Sequence, residues 1–132
     1  MQDQENIAEA KDKENVKHTL EKVNYYPIGT VVLLKGGTKK SMIVSRGVGT
    51  QIDGEMQLFD YGGCLYPEGI VGPTLSYFNH KDISKVFHMG MKSEEDTILA
   101  DGINDIVMNS GLKKGNPYDL NIQNLKKYGK KN

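Results

Sequence analysis

Histidine and cysteine are the residues of this chain that could perform chemistry, and both are scarce. Histidine occurs at His18, His80 and His88, and no two of these are spaced as zinc hydrolases space their ligands along one helix face. The single Cys64 excludes an internal disulfide and a cysteine-based zinc site. We therefore predict that the protein uses neither a metal nor another cofactor.

A nucleophilic Cys64 with His80 as its base is the one catalytic alternative that these residues offer. The sequence supplies no third group that would orient the base and no recognisable oxyanion feature. We therefore expect no enzymatic activity, and we interpret Cys64 as a partly buried thiol. The catalytic alternative predicts that Cys64→Ser abolishes function without changing the fold.

A segment rich in glycine and lysine, residues 36–41, resembles a phosphate-binding loop only superficially. That loop needs the pattern G-x-x-x-x-G-K-[ST] between a strand and a helix, whereas here a second β-rich run follows. We therefore predict a hairpin turn. Lysines of this turn, with Tyr25 and Tyr26 nearby, are also compatible with single-stranded nucleic acid. Because Lys plus Arg and Asp plus Glu number 17 each, the net charge does not favour nucleic acid, and we expect no such partner.

The elements that position these residues start with a β-hairpin. Two β-rich runs, residues 30–34 and 41–45, flank a turn with a Gly-Gly pair, which is a strong hairpin signal. Consecutive apolar residues at Val31–Leu34 favour a strand that is covered on both faces. The glycines of residues 47–55 predict a loop after the hairpin.

Further strands are predicted at residues 56–61 and at residues 85–89. Residues 62–73 contain four glycines and two prolines, so irregular structure is predicted there, with at most a short edge segment at Leu65 and Tyr66. Residues 78–83 indicate a single turn that Asn79 caps. Together these segments predict a small twisted antiparallel sheet of four to five strands.

The first 24 residues are charged, of mixed sign and free of glycine and proline. Val16, Leu20 and Val23 recur at helical spacing, which predicts a helical arm with a narrow apolar stripe. A solvated and partly disordered leader is the alternative. The segment lacks the apolar middle of a signal peptide, and no run of about 18 apolar residues follows, so we expect a cytoplasmic protein without direct membrane insertion.

Two helices are predicted near the C-terminus. Ser93 is a cap that precedes three acids, and Gly111 is a natural stop for the first helix. The second helix is predicted to begin at Asn116-Pro117 and to run into a basic tail. The apolar face predicted for the second helix comprises Tyr118, Ile122 and Leu125.

The fold class predicted from these elements is α+β, with the sheet, an N-terminal helical arm and two C-terminal helices in one domain. We place a charged arm at residues 1–24, a β-rich core at 25–91 and the C-terminal helices with their basic tail at 92–132.

Two groups of apolar residues are candidates for partner binding. One lies in residues 65–78, where regular structure is not expected, and an exposed apolar patch there would mark a binding site. The alternative is that this segment folds over the sheet as its second cover. The other group is the apolar face of the first C-terminal helix, and the alternative is that the core of the domain uses this face. The candidates are Leu65, Tyr66, Ile70, Val71, Tyr77, Phe78, Leu99, Ile103, Ile106 and Val107.

Three blocks of the sequence resemble a family of small bacterial proteins. They read PIGTVVLLKGGTKKSMIVSRG, FDYGGCLYPEGIVGP and YFNHKDISKVFHMG, and they cover residues 27–90 in family order. The family is the domain of unknown function 4176, whose members are encoded beside toxins of the Gram-positive type VII secretion system. The charged leader and basic tail are similar to those of the members that accompany the nuclease toxin of the staphylococcal Ess-type system.

The resemblance implies a chaperone or targeting factor without catalysis. Its expected partners are the N-terminal helical export region of the secreted nuclease toxin, small helical co-secreted proteins, and the membrane ATPase of the secretion system. It would be cytoplasmic, or peripheral at the membrane through that machinery. An immunity protein that neutralises the toxin's catalytic domain is the alternative. A nuclease inhibitor is expected to carry a strongly acidic surface, whereas acid is concentrated here only at residues 94–105, which favours the chaperone.

Overall fold

The structure is a computed structural model that describes residues 20–72 and 75–129. This part of the chain forms one five-stranded sheet and two helices. All neighbouring strands are antiparallel, in the order β4-β3-β2-β1-β5. The strands are β1 (Val31–Leu34), β2 (Lys40–Ile52), β3 (Glu55–Tyr66), β4 (Ser76–Phe78) and β5 (Ile83–His88). The helices are α1 (Glu94–Met108) and α2 (Pro117–Gly129). The predicted α+β class is confirmed.

The predicted hairpin of β1 and β2 is confirmed. Val31 pairs with Met42 and Leu33 pairs with Lys40, so the turn between the strands contains the Gly-Gly pair. Val31 and Val32 are both buried although their side chains point to opposite faces, so the first half of β1 is covered on both sides, as its apolar run predicts.

The loop predicted at residues 47–55 is wrong, because β2 continues to Ile52 and only a tight turn separates it from β3. Asp53 and Gly54 have φ angles of 51° and 82°, the pattern of a two-residue hairpin turn. Gly47 lies within β2 and allows α1 to pack closely on the strand, since a β-carbon there would lie 2.5 Å from the side chain of Ile103 on α1.

The irregular structure predicted from residue 62 onward is wrong for residues 62–64, which belong to β3, and the segment allowed at Leu65 and Tyr66 is the end of the same strand. A β-carbon on Gly62 would collide with the hydroxyl of Ser45, and one on Gly63 would lie 2.9 Å from the carbonyl oxygen of Met42. Glycine is therefore required here because β2 approaches β3 closely at a bulge.

The turn predicted at residues 78–83 is present as a 3-10 turn, His80–Asp82, which leads directly into β5. The backbone N–H of Asn79 donates to the carboxylate of Asp82 at 2.8 Å, which closes the turn. Asn79 is the N-cap residue of this turn, as predicted. Its side chain also joins other segments: Oδ1 accepts from the N–H of Asp60, and Nδ2 donates to the carbonyl of Gly115.

Both predicted C-terminal helices are confirmed at their start sites. The hydroxyl of Ser93 accepts from the N–H of Asp96 at 3.1 Å and so caps α1. The amide oxygen of Asn116 accepts from the N–H of Tyr118 at 2.7 Å at the start of α2. Tyr118, Ile122 and Leu125 share one side of α2 as predicted, but Leu120 is the residue that packs against the sheet, with Ile52 and Phe59.

The N-terminal arm predicted for residues 1–24 lies outside the described residues up to residue 19. Residues 20–24 are described and have no helical structure. Leu20 is buried against Leu58 and Val107, so this segment packs on the domain.

Among the described residues, the buried apolar side chains form three clusters. The largest joins the segment before β1 to the centre of the sheet, the second lies under α1, and the third lies under α2. Their buried members are Tyr25, Val32, Ile43, Tyr61 and Phe78; Leu20, Leu58 and Val107; and Ile52, Phe59 and Leu120.

Candidate functional site

Helix α1 presents an apolar stripe to solvent. Ile98, Leu99 and Ile106 are 65%, 57% and 73% exposed. Residues 98, 102 and 106 recur at every fourth position and Leu99 adjoins them, so they lie along one side of the helix. Gly102, at the centre, has open space where a side chain would lie. We call Ile98, Leu99, Gly102 and Ile106 the α1 seam.

The other face of α1 packs on the sheet. Val107 is buried with Leu20 and Leu58, and Ile103 packs against the same cluster and against the main core. Ile103 and Val107 were predicted to bind a partner together with Leu99 and Ile106. The structure separates these four residues, because the first pair is directed to the interior and the second pair to solvent.

Polar contacts hold α1 at both ends of its buried face. The guanidinium Nη1 of Arg46 on β2 lies 2.8 Å from a carboxylate oxygen of Asp96 in the first turn. Further along, the amide of Asn104 accepts from the N–H of Val23 and donates to its carbonyl, both at 2.9 Å. The helix is therefore fixed in orientation, and the α1 seam has a defined position.

Acidic residues border the α1 seam on one side. Glu94, Asp101 and Asp105 are exposed and are spaced seven and four residues apart, which places them in a line beside Ile98. Glu95 is also exposed and lies at the N-terminal end of the seam. The seam therefore combines an apolar centre with negative charge along one border.

A second exposed apolar surface lies where β3 ends. Leu65 and Tyr66 are 40% and 44% exposed, and Ile70 and Val71 beyond the turn are 64% and 70% exposed. The N–H of Gly69 donates to the carbonyl of Leu65 at 2.7 Å, so the turn between them is ordered. We call Leu65, Tyr66, Ile70 and Val71 the β3 tip. These four candidates do not cover the sheet.

The remaining candidates of this segment, Tyr77 and Phe78, point toward the domain. Phe78 is buried in the main core against Tyr61, with ring centroids 5.6 Å apart. Tyr77 is half-buried beside Phe59, at 5.9 Å between centroids. The alternative in which the segment covers the sheet therefore holds for Phe78, which has no surface left for a partner.

A polar network surrounds Asp60, Tyr61 and His80. The Tyr61 hydroxyl accepts from the N–H of Tyr26 at 2.9 Å, so its own proton is free to bond Nδ1 of His80, 2.7 Å away. Asp60 accepts from the N–H of His80 and forms an ion pair with Lys114 at 2.7 Å. The network thus ties β3 to the 3-10 turn and to the segment before α2.

Burial sets the protonation states in this network. Desolvation lowers the pKa of His80, opposed by the charge of Asp60 and reinforced by that of Lys114. Burial raises the pKa of Tyr25 to about 12. The negative charge of Asp60 adds to this shift, and the positive charge of Arg46 opposes it. Burial also raises the pKa of Tyr61, although the N–H of Tyr26 opposes the shift. A neutral histidine and protonated tyrosines are therefore favoured at neutral pH, which suits a structural network.

A cleft of about 950 Å³ adjoins this network, between residues 21–24, the 3-10 turn and residues 113–117. Its charged lining is of mixed sign, and the innermost charges, Asp60 and Lys114, neutralise each other. Cys64 and His80, the catalytic alternative, share no hydrogen bond among the described residues. Within residues 20–72 and 75–129, no three His, Cys, Asp or Glu side chains are grouped to hold a metal ion.

Two members of the α1 seam, Ile98 and Gly102, were missed by the sequence reasoning. The signal was present, because Ile98 lies four residues before Gly102 and eight before Ile106. Which side of the helix faces the sheet is not encoded in that spacing. It follows from the Arg46–Asp96 pair and from the bonds between Asn104 and Val23.

The fold and these surfaces define a small α+β protein whose first helix exposes an apolar stripe. The chain belongs to the family described as a domain of unknown function, DUF4176, whose family model matches residues 25–99. The match contains all five strands and ends within α1. No curated protein and no solved structure matches the chain. Neither described helix has the length and apolar composition that crossing a bilayer demands.

Proposed function

We propose that this protein is a non-enzymatic chaperone and targeting factor. It binds the N-terminal helical export region of a nuclease toxin secreted by a type VII system and delivers the toxin to the membrane ATPase of that system. It acts in the cytoplasm, or at the membrane through the secretion machinery, and small helical co-secreted proteins are further partners. Membership of the DUF4176 family, together with the resemblance of the chain to toxin-associated members, supports this class of partner.

The observation that carries the proposal is the α1 seam. Ile98, Leu99 and Ile106 are large apolar side chains that are each more than half exposed on one side of one helix. Such a stripe is a common docking surface for an amphipathic helix of another protein. This contact would cover the apolar seams of a helical export region until export. Such protection is what a chaperone must provide.

The anchoring of α1 supports the same conclusion. The bonds from Arg46 and Asn104 hold the helix from its buried side, so the exposed side needs no rearrangement before binding. A surface that is already ordered loses less conformational entropy when a partner docks. The seam is thus a preformed site, in contrast to a segment that orders on binding.

The proposal is tested by co-expression of the tagged protein with the toxin divided into two halves, the N-terminal export region and the C-terminal enzymatic domain. We expect the N-terminal half alone to be retained, with toxin activity unaffected. Retention of the C-terminal half with loss of nuclease activity would instead identify an immunity protein and overturn the proposal.

Matched variants locate the contact. Ile98→Ser/Ile106→Ser alters the α1 seam, whereas Ile70→Ser/Val71→Ser alters the β3 tip at side chains of similar size and exposure. We expect the first pair to lose the N-terminal half and the second pair to retain it. The reverse result would move the contact to the β3 tip and remove the α1 seam as the observation that carries the proposal.

A further inference from the structure

The α1 seam has a distinctive distribution of charge around its apolar centre. Glu94, Asp101 and Asp105 follow one border in a line, and Glu95 lies at the N-terminal end. Along the opposite border, Ile103 packs against the core and the carboxylate of Asp96 is paired with Arg46. The free negative charge of this surface is therefore concentrated along one side.

We infer that the occupant of the α1 seam is an amphipathic helix of another protein that carries lysine or arginine along one border of its own apolar face. This inference rests on the proposed function and specifies the chemistry of its partner. The apolar centre accounts for docking of a helix, and the one-sided acidic border selects its charge and its orientation. A partner with an acidic border would place like charges side by side, which is unfavourable.

The centre of the seam adds a geometric requirement. Gly102 presents no side chain and has open space above it, flanked by Ile98 and Ile106 one turn away on either side. A large apolar side chain of the partner fits above Gly102, between these two residues, as ridges fit into grooves where helices pack. The two helices can therefore approach closely at this point.

The basic helix α2 of a second copy is the competing occupant. It exposes Tyr118 and Leu125, each 67% accessible, and carries Lys126 near its end. Binding by a second copy would give a dimer in solution. Multi-angle light scattering of the full chain is expected to give the mass of a monomer, and a dimer dissociated by Ile106→Ser would overturn the inference.

The direct test uses two synthetic helical peptides with the same leucine seam. One peptide carries lysine along one border of the seam, and the other carries glutamate at the same positions. Fluorescence anisotropy with the full-length protein at low salt is expected to show roughly tenfold tighter binding of the lysine peptide, with the difference reduced at high salt. Equal binding of both peptides, or binding of neither, would overturn the inference.

Charge reversal at the border supplies the matched variants. Asp101→Lys/Asp105→Lys is expected to reverse the preference in favour of the glutamate peptide. Glu55→Lys/Glu68→Lys changes the net charge equally but alters exposed acids away from α1, so it is expected to retain the preference for lysine. Equal loss in both variants would show that overall charge, and not the border, determines binding.

The toxin halves then separate this inference from the proposed function. If the wild-type protein retains the N-terminal half but Asp101→Lys/Asp105→Lys retains it with unchanged affinity, the chaperone function stands and the acidic border has no role. If neither half is retained while the lysine peptide still binds as expected, the border chemistry stands and the toxin is the wrong partner.

Discussion

Arg46 and Asp96 form an almost fully buried ion pair that joins the sheet to the first turn of α1. Their charged atoms lie 2.8 Å apart, and the two side chains are 3% and 13% exposed. Arg46 also donates to the carbonyl of Tyr26 at 3.4 Å, so its charge is bonded on two sides. The pair sets the direction in which α1 leaves the sheet, and so sets where the α1 seam points.

The first prediction concerns this pair. Asp96→Asn leaves the buried charge of Arg46 without a counter-ion, so we expect it to lower the free energy of unfolding by roughly 3 kcal/mol. Arg46→Met/Asp96→Leu removes both charges and is expected to be less destabilising than the sum of the single changes. Urea unfolding followed by circular dichroism measures both.

An exposed ion pair provides the control for this experiment. Lys39 and Glu68 lie 2.6 Å apart, but both side chains are substantially solvated. Glu68→Gln is therefore expected to leave the urea midpoint unchanged. If Asp96→Asn also leaves the urea midpoint unchanged, the Arg46–Asp96 pair does not fix the helix.

The second prediction compares two glycines under the same substitution. A β-carbon on Gly115 would lie 2.5 Å from the ring of Phe59, which is 1% exposed and cannot move freely. Gly115→Ala is expected to destabilise the fold by roughly 1–3 kcal/mol. Gly102→Ala, in open space within α1, is expected to stabilise it by about 0.5–1 kcal/mol.

Thermal unfolding of the two variants should therefore shift in opposite directions from the wild-type midpoint. A decrease with Gly102→Ala would mean that space above the α1 seam is occupied by another part of the chain. That outcome would also contradict a free docking surface on this helix.

The third prediction concerns pH and His80. Because burial lowers the pKa of His80 in the folded state, the unfolded chain takes up a proton first as the pH falls. The stability that this group confers is fully present above its unfolded pKa of about 6.5 and is lost as the pH falls through the folded pKa. Between about pH 7.5 and about pH 5, the urea midpoint of the wild-type protein is therefore expected to fall.

His80→Asn is the matched variant, because its amide oxygen can accept from Tyr61 where Nδ1 does, without titrating. We expect a smaller fall of the urea midpoint over the same pH interval. An identical fall in both proteins would assign the pH dependence to other groups, such as the carboxylates.

Much of the fold was predictable because local signals and tertiary structure agree. The Gly-Gly turn, the Ser93 cap and the Asn116-Pro117 start each specify an element end by backbone chemistry, and all three occur as predicted. The glycines within β2 and β3 were misleading as loop signals. At Gly47 and Gly62 the absence of a side chain lets another segment of the same chain approach closely.

The candidate site was predictable only in part for a related reason. Helical spacing placed Leu99 and Ile106 on α1, but it did not show which side of the helix would face the sheet. That choice depends on partners distant in sequence, such as Asn104 with Val23, 81 residues apart. Buried polar residues of this kind carry no periodic signal, so the network of Asp60 and Asn79 also went unpredicted.

The last prediction separates surface from core on α1. Ile106 is 73% exposed, so Ile106→Ser is expected to change the free energy of unfolding by no more than about 0.5 kcal/mol. Val107, the next residue, is 6% exposed beside Leu20 and Leu58, and Val107→Ala is expected to cost roughly 1–3 kcal/mol. Under the proposed function, toxin retention should show the opposite order, because Ile106→Ser would remove a contact with the toxin whereas Val107→Ala would leave the α1 seam intact. If Ile106→Ser instead destabilises the fold as much as Val107→Ala does, Ile106 belongs to the core and the seam is not a docking surface.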